Sequence, residues 1–193
     1  MSDLHTAEHA APRTSALRRG VAWLATFLGF PLGGLVAELA GPVDGPVPAL
    51  LGGLVTGAVL GAVQALGLRV GRAPVPVLAW VVATGAGLAV GLLLGAGAVG
   101  YGVGLPALAI QVAVCGAVVG LAQAAILWRR LGALAAAWPP VLAVAWALGW
   151  TVTTLVGVDV ERGYTVFGSS GALLVAVLTL VLPLVLGRRA EMS

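Results

Sequence analysis

The chain has little of what a soluble enzyme needs: one cysteine, two histidines, no lysine, and charged side chains at only 9% of 193 positions. A single cysteine, Cys115, excludes a disulfide framework and a cysteine-rich metal site. The low charge and the mean hydropathy of +1.08 lie far outside the balance of soluble domains. No polar stretch is long enough to form a separate soluble domain. Any functional site is therefore expected among apolar segments or in the short connections between them.

What the chain has instead is apolar sequence, 60% of the total, in blocks of about 20 residues, the length that crosses a hydrocarbon core about 30 Å thick. These blocks predict an all-α membrane protein: a six-transmembrane-helix bundle built from three helical hairpins, forming one domain over 20–187. Two tails are predicted outside it, 1–19, which we expect to be disordered, and 188–193. The predicted helices are 20–40, 47–68, 75–98, 105–127, 139–158 and 168–186.

Nine of the ten basic residues lie in four arginine clusters, which alternate with acidic or neutral connections. Two predicted crossings separate each cluster from the next, so all four fall on one side of the membrane. Because cytoplasmic loops carry the excess of lysine and arginine, both termini are predicted to be cytoplasmic and the protein to lie in the cell membrane. The clusters are Arg13/Arg18/Arg19, Arg69/Arg72, Arg129/Arg130 and Arg188/Arg189.

An internal repeat links the second and fourth predicted helices. The motif G-x-x-x-G-x-x-Q ends at Gln64 in one and at Gln123 in the other, an offset of 59 residues, and an arginine follows each copy. The third hairpin lacks the motif and has Pro183 where the glutamine would be. The first helix of each hairpin carries a tryptophan, which we assign as Trp23, Trp80 and Trp146.

This combination of a tryptophan-led helix, a G-x-x-x-G-x-x-Q helix and a closing arginine resembles uncharacterised multi-pass membrane proteins of bacteria. The resemblance covers Trp23 to Arg130. It implies a membrane-embedded hairpin repeat over that range. No activity, cofactor or partner follows from it.

Several polar side chains fall within or near the predicted crossings, where a polar group must find a partner. Gln64 and Gln123 lie about 8–9 Å inside the arginine-bearing boundary at 1.5 Å per residue. For these amides and for Gln111 we favour hydrogen bonds between helices, and the alternative is the lining of a solute path. Glu38 lies near the opposite boundary, where a solvated acid is favoured over an ion-coupling site inside the membrane.

The tryptophans predict two kinds of position. Trp23, Trp128 and Trp138 stand beside or near arginines and are predicted to belong to the aromatic belt at the membrane interface. Trp146 and Trp150 lie too deep for that belt. They predict core packing, which we favour, or an aromatic wall for an apolar ligand.

Prolines and glycines predict how the helices bend and approach one another. Pro31 and Pro183 fall inside predicted helices rather than at their starts, so each is predicted to kink its helix and is a candidate hinge. Glycines spaced four apart let helix backbones approach closely in lipid. Two such sets predict close packing between the second and third helices, with a sliding contact as the alternative: Gly53/Gly57/Gly61 and Gly87/Gly91/Gly95.

Motifs that carry chemistry are nearly absent. His5 and His9 belong to an H-x-x-E-H zinc motif, but that segment offers no third ligand, so we predict no catalytic residue, cofactor or metal. The sequence thus predicts a non-enzymatic membrane scaffold or accessory component. The alternative is a small-solute permease or the substrate-binding subunit of a transporter. The expected partners are the lipid bilayer and membrane proteins or further copies of this chain, without nucleic acid.

Overall fold

The computed structural model describes residues 15–38, 44–73, 75–157 and 169–192, without the side chain of Glu38. Across these ranges every regular element is a helix and none is a strand, so the all-α prediction is confirmed for this part of the chain. The α-helices in these ranges are α1 (15–24), α2 (Gly29–Glu38), α3 (Pro46–Val70), α4 (Val77–Ala98), α5 (Leu105–Leu131), α6 (Trp138–Leu155), α7 (Ser169–Leu178) and α8 (Val181–Glu191).

The helices are long and apolar enough for a membrane protein. Within the described ranges, five continuous helical stretches meet the length and hydropathy of a membrane span: Ser15–Ala37, Pro46–Val70, Val77–Ala98, Leu105–Leu155 and Ser169–Glu191. The fourth stretch contains α5 and α6 on either side of a 3-10 turn, Gly132–Ala137. These two helices pack against each other in antiparallel directions, because Gly116 contacts Leu142 and Gly120 contacts Pro139.

The helix boundaries follow from the local sequence. Prolines occupy the first turn of α3, α5 and α6, where a missing N–H costs little. Helix α5 ends at Gly132, whose φ of +57° is a left-handed conformation that favours glycine. Helix α3 ends at Val70. Arg72, two residues later, is also left-handed at +56°, and the Ala73 amide donates to the Leu68 carbonyl at 2.8 Å. This is the hydrogen-bond pattern of a helix-terminating turn.

Helices adjacent in sequence pack side by side, and the last returns to the first, so the bundle closes as a ring. Glycines line the contacts between successive helices. A Cβ placed on Gly57 would lie 2.6 Å from the Thr84 carbonyl oxygen, and one on Gly91 would lie 2.8 Å from the Cys115 Cα. Only glycine permits so close an approach of backbones.

The two glycine sets predicted to meet at one interface serve two different interfaces. Gly53, Gly57 and Gly61 on α3 face α4, as predicted, whereas the set containing Gly91 on α4 faces α5. The prediction for the second set is therefore wrong. The spacing of the glycines predicts that each set lies on one face of its helix. It does not predict which neighbouring helix packs against that face.

Both terminal helices of the ring are interrupted. A 3-10 turn, Ala25–Leu28, separates α1 from α2, and the turn at Thr179 separates α7 from α8. Pro31 and Pro183 are each the third residue of the helix that resumes. A proline clashes with the carbonyl four residues earlier, which is Phe27 in one helix and Thr179 in the other. Each interruption therefore lies one turn before its proline.

The terminal helices also extend beyond the predicted segments. Helical structure is already present at Ser15 and continues to Glu191. The arginines of the first and last clusters that the structure describes therefore lie on helices rather than in tails. The H-x-x-E-H segment and the side chain of Glu38 lie outside the described residues.

Candidate functional site

Polar side chains, all buried except the half-buried Gln64, gather one to two helical turns inside the end of the bundle that carries the arginines. We call this set the tryptophan layer. Each of its tryptophans donates its indole N–H to a side chain on a neighbouring helix. The layer consists of Trp23, Gln64, Trp80, Thr84, Gln123, Trp138 and Thr179.

Gln123 on α5 is the centre of the layer and is only 1% exposed. Its Nε2 donates to Thr84 Oγ1 on α4 at 2.9 Å and to Gln64 Oε1 on α3 at 3.2 Å. Its Oε1 accepts from Trp138 Nε1 on α6 at 2.8 Å. One amide therefore joins α5 to three other helices, and the structure brings together the two glutamines of the sequence repeat.

The remaining contacts of α4 complete this network. Gln64 Oε1 also accepts from Trp80 Nε1 at 3.2 Å. The Thr84 hydroxyl donates to the Trp80 carbonyl at 2.8 Å while it accepts from Gln123. Trp80 and Thr84 are fully buried. Because an unpaired polar group in an apolar medium costs about 1–3 kcal/mol, these mutual bonds stabilise the packing of α3 to α6.

The contact that closes the ring repeats the same arrangement. Trp23 Nε1 on α1 donates to Thr179 Oγ1 at 3.0 Å, and Thr179 in turn donates to the Val175 carbonyl at 2.7 Å. In all three cases a tryptophan bonds a side chain of the preceding helix in the ring. In the third repeat Thr179, one turn before Pro183, accepts the indole N–H that a glutamine oxygen accepts in the other two.

Two tryptophan predictions are wrong. The tryptophan of the third hairpin that matches Trp23 and Trp80 is Trp138 and not Trp146, because Trp138 donates to a side chain of the preceding helix. Trp23 and Trp138 are also only 2% and 7% exposed, so they are buried between helices and do not belong to an interfacial belt. A signal for this was present in the sequence: Trp23, Trp80 and Trp138 are 57 and 58 residues apart, close to the 59-residue glutamine offset. Trp128, in contrast, is 55% exposed.

The deeper aromatic residues lie apart from the tryptophan layer. Trp146 is about 12 Å further along α6 than Trp138, at 1.5 Å per residue. Its ring meets Phe30 of α2 edge to face, with centroids 5.2 Å apart and planes at 76°, a favourable aromatic geometry. Trp150 is buried one turn further on. The structure therefore places both candidate tryptophans in the packed core.

Gln111 is also separate from the layer. Its side chain is buried and, among the described residues, makes no hydrogen bond. Its backbone packs against α4, where a Cβ on Gly95 would lie 2.6 Å from the Gln111 carbonyl oxygen. Of the three candidate glutamines, two thus join in one network and the third does not.

The arginine clusters meet at one end of the bundle. Arg19, 4% exposed, forms an ion pair with Glu191 of α8. A Cβ on Gly71, between the two arginines of the second cluster, would lie 3.3 Å from the Arg19 Cα. Arg189 Nη1 donates to the Arg130 carbonyl at 3.0 Å. These contacts connect all four clusters.

The chemistry of the layer is that of amides, hydroxyls and indoles, which neither ionise near neutral pH nor bind metals strongly. In the part of the chain that the structure describes, no group of three or more histidine, cysteine, aspartate or glutamate side chains is placed to hold a metal ion. Comparison with known protein families, curated proteins and solved structures finds no match for the chain. Its own geometry is therefore the basis for a functional proposal.

Proposed function

We propose that this chain is an integral protein of the cell membrane that crosses it six times and acts as a non-enzymatic scaffold or accessory component. The count of six treats α5 and α6 as separate crossings, since they pack antiparallel across a turn. Even α6, with 18 residues, is about 27 Å long at 1.5 Å per residue, close to the hydrocarbon thickness. The arginine clusters at one end favour a cytoplasmic location for that end and for both termini.

The scaffold proposal rests on the side-chain amides of Gln64 and Gln123, which form hydrogen bonds between helices. A glutamine offers two donor and two acceptor positions, and Gln123 directs three of them at neighbouring helices. A permease needs polar groups that bind a solute, and helices that rock past one another. Here the two repeat glutamines bond each other, and glycine contacts bring backbones too close for sliding without loss of packing.

The experiment is site-directed thiol labelling in proteoliposomes, in a Cys115→Ser background. Thr84→Cys and Thr153→Cys replace two fully buried side chains on different helices with one of nearly the same size. A closed scaffold predicts that a membrane-impermeant thiol reagent reaches neither position from either side. Labelling of either cysteine from one side would support a water-filled path and the permease alternative.

Two surface positions serve as controls and test the topology. Arg69→Cys lies at the arginine end, and Val103→Cys lies between α4 and α5 at the other end. Both residues are exposed. The proposal predicts that each is labelled from one side only, and that the sides are opposite. Labelling of both from the same side would refute the proposed threading.

A further inference from the structure

A groove of about 370 Å³ lies between the first helix and the end of α3, at the arginine end of the bundle. Its lining is apolar except for one arginine. Leu17, Val21 and Val70 in this lining are all more than half exposed. The lining residues are Leu17, Arg18, Val21, Ala22 and Val70.

Arg18 lines the groove, whereas its neighbour Arg19 does not. Arg19 is bound to Glu191. The Nε atoms of both arginines are buried and have no hydrogen-bond partner among the described residues. Arg18 is half-buried and forms no ion pair with another described residue, so its guanidinium is the charged group of the lining that can meet an anionic oxygen.

Two further arginines lie close in the sequence to one of the lining residues. Val70 stands between Arg69 and Arg72, and both arginines are exposed. The turn that carries them touches the first helix, because a Cβ on Gly71 would contact Arg19. None of the residues that line the groove is acidic. The groove thus combines apolar walls with Arg18 in its lining and two exposed arginines close to Val70 in the sequence.

We propose that this groove binds an anionic phospholipid, with an acyl chain along Leu17, Val21 and Val70 and the headgroup phosphate at Arg18. Basic pockets between membrane helices on the cytoplasmic side suit such headgroups, and arginine matches phosphate oxygens with paired N–H donors. The inference rests on the proposed membrane location and orientation. It goes beyond them, because general attraction of arginines to a charged leaflet requires no groove.

The test is a lipid titration of the full-length protein in mixed micelles, with bound lipid counted by native mass spectrometry. Phosphatidylglycerol and phosphatidylcholine with the same acyl chains are compared. We expect phosphatidylglycerol to bind about tenfold more tightly, and Arg18→Gln to weaken it about fivefold, since each arginine at an anionic surface contributes about 1 kcal/mol. Val21→Trp, which fills the groove without changing charge, should weaken binding as well.

The matched control is Arg129→Gln, which removes an exposed arginine at the same end but outside the groove. It should retain wild-type selectivity. Equal affinity for the two lipids, unchanged affinity in Arg18→Gln and Val21→Trp, or an equal loss in Arg129→Gln would each overturn the proposal. Competition by millimolar inorganic phosphate that abolishes lipid binding would show a free anion site instead. A wrong topology would appear separately, in the thiol labelling from opposite sides.

Discussion

Helices α3 to α6 and the seam between the two terminal helices are held together by different means. Along α3 to α6, glycines bring backbones into direct contact at several levels, as at Gly57, Gly91 and Gly116. At the seam, the Trp23–Thr179 hydrogen bond and the Arg19–Glu191 ion pair connect the helices. The first set of contacts extends over the length of the helices, and the second lies toward the arginine end.

The difference has a cause in the sequence. A row of glycines at every fourth residue lies on one face only while the helix is regular. The terminal helices are interrupted before Pro31 and Pro183, so a row on one segment does not continue on the next. Regular helices α3 to α6 thus meet through rows of glycines. The interrupted helices also place glycines against their regular neighbours, as at Gly33 and Gly171, but polar side chains join them to each other.

The largest effect is expected from filling a glycine contact. A Cβ on Gly116 would lie 2.6 Å from the Leu142 carbonyl oxygen and 3.0 Å from the Ala143 Cα, so Gly116→Val must separate α5 from α6. We expect a loss of about 3 kcal/mol of unfolding free energy, measured by denaturant titration in detergent. Gly97→Val is the control, because a Cβ there meets nothing within 4 Å. It should stay within about 0.5 kcal/mol of wild type, and equal losses would contradict the role of close packing.

A smaller loss is expected from removing the central amide. Gln123→Leu deprives the buried Trp138 indole and the Thr84 hydroxyl of their partner, which should cost about 2 kcal/mol. Unfolding free energy is again the measurement. Gln111→Leu on the same helix is the matched control, since the described residues give its side chain no hydrogen bond. A loss in Gln111→Leu as large as that in Gln123→Leu would refute the structural role of the layer.

Removing the hydrogen bond at the seam between the terminal helices should lower the free energy of unfolding by less than the two changes above. Trp23→Phe and Thr179→Val each remove one partner of the closing hydrogen bond. A double-mutant cycle should give a coupling energy of about 1 kcal/mol, within the range found for hydrogen bonds between membrane helices. A coupling near zero would mean that the two side chains meet without stabilising the ring.

The smallest effect is expected at the exposed end of α8. Glu191 is 54% exposed, so water and salt screen its ion pair with Arg19. Glu191→Gln should speed amide hydrogen exchange in the last turn of α8 and leave exchange in α4 unchanged. High salt should produce the same local change in the wild type. Faster exchange throughout the bundle would show that this pair, rather than the tryptophan layer, holds the seam.

Much of the fold was accessible from composition and charge. Apolar block length located the helical segments to within a few residues at α4, and prolines located the starts of α3 and α5. The terminal helices extend further than predicted, because a cluster of arginines predicts a solvated tail although arginine is a good helix former. Hydropathy reports where a segment leaves lipid, whereas helical structure continues as long as backbone hydrogen bonds persist.

The candidate site was accessible in part. The repeat identified Gln64 and Gln123, and their burial in a membrane required partners. The partners themselves, Trp80, Thr84 and Trp138, depend on how each helix is rotated about its axis. The third hairpin has Pro183 at the position expected for a glutamine, so the repeat does not identify Thr179. The Thr179 hydroxyl, one turn earlier, accepts the tryptophan N–H in place of a glutamine oxygen.

Local sequence is enough to predict long apolar helices with arginines at their ends, because hydropathy, charge and proline position act locally. Which helix faces meet, and which polar groups pair, depends on the tertiary packing. The indole of Trp138 finds its amide 15 residues away, whereas that of Trp23 finds its hydroxyl 156 residues away. Such pairings follow from close packing of whole helices around a ring, and no local pattern specifies them.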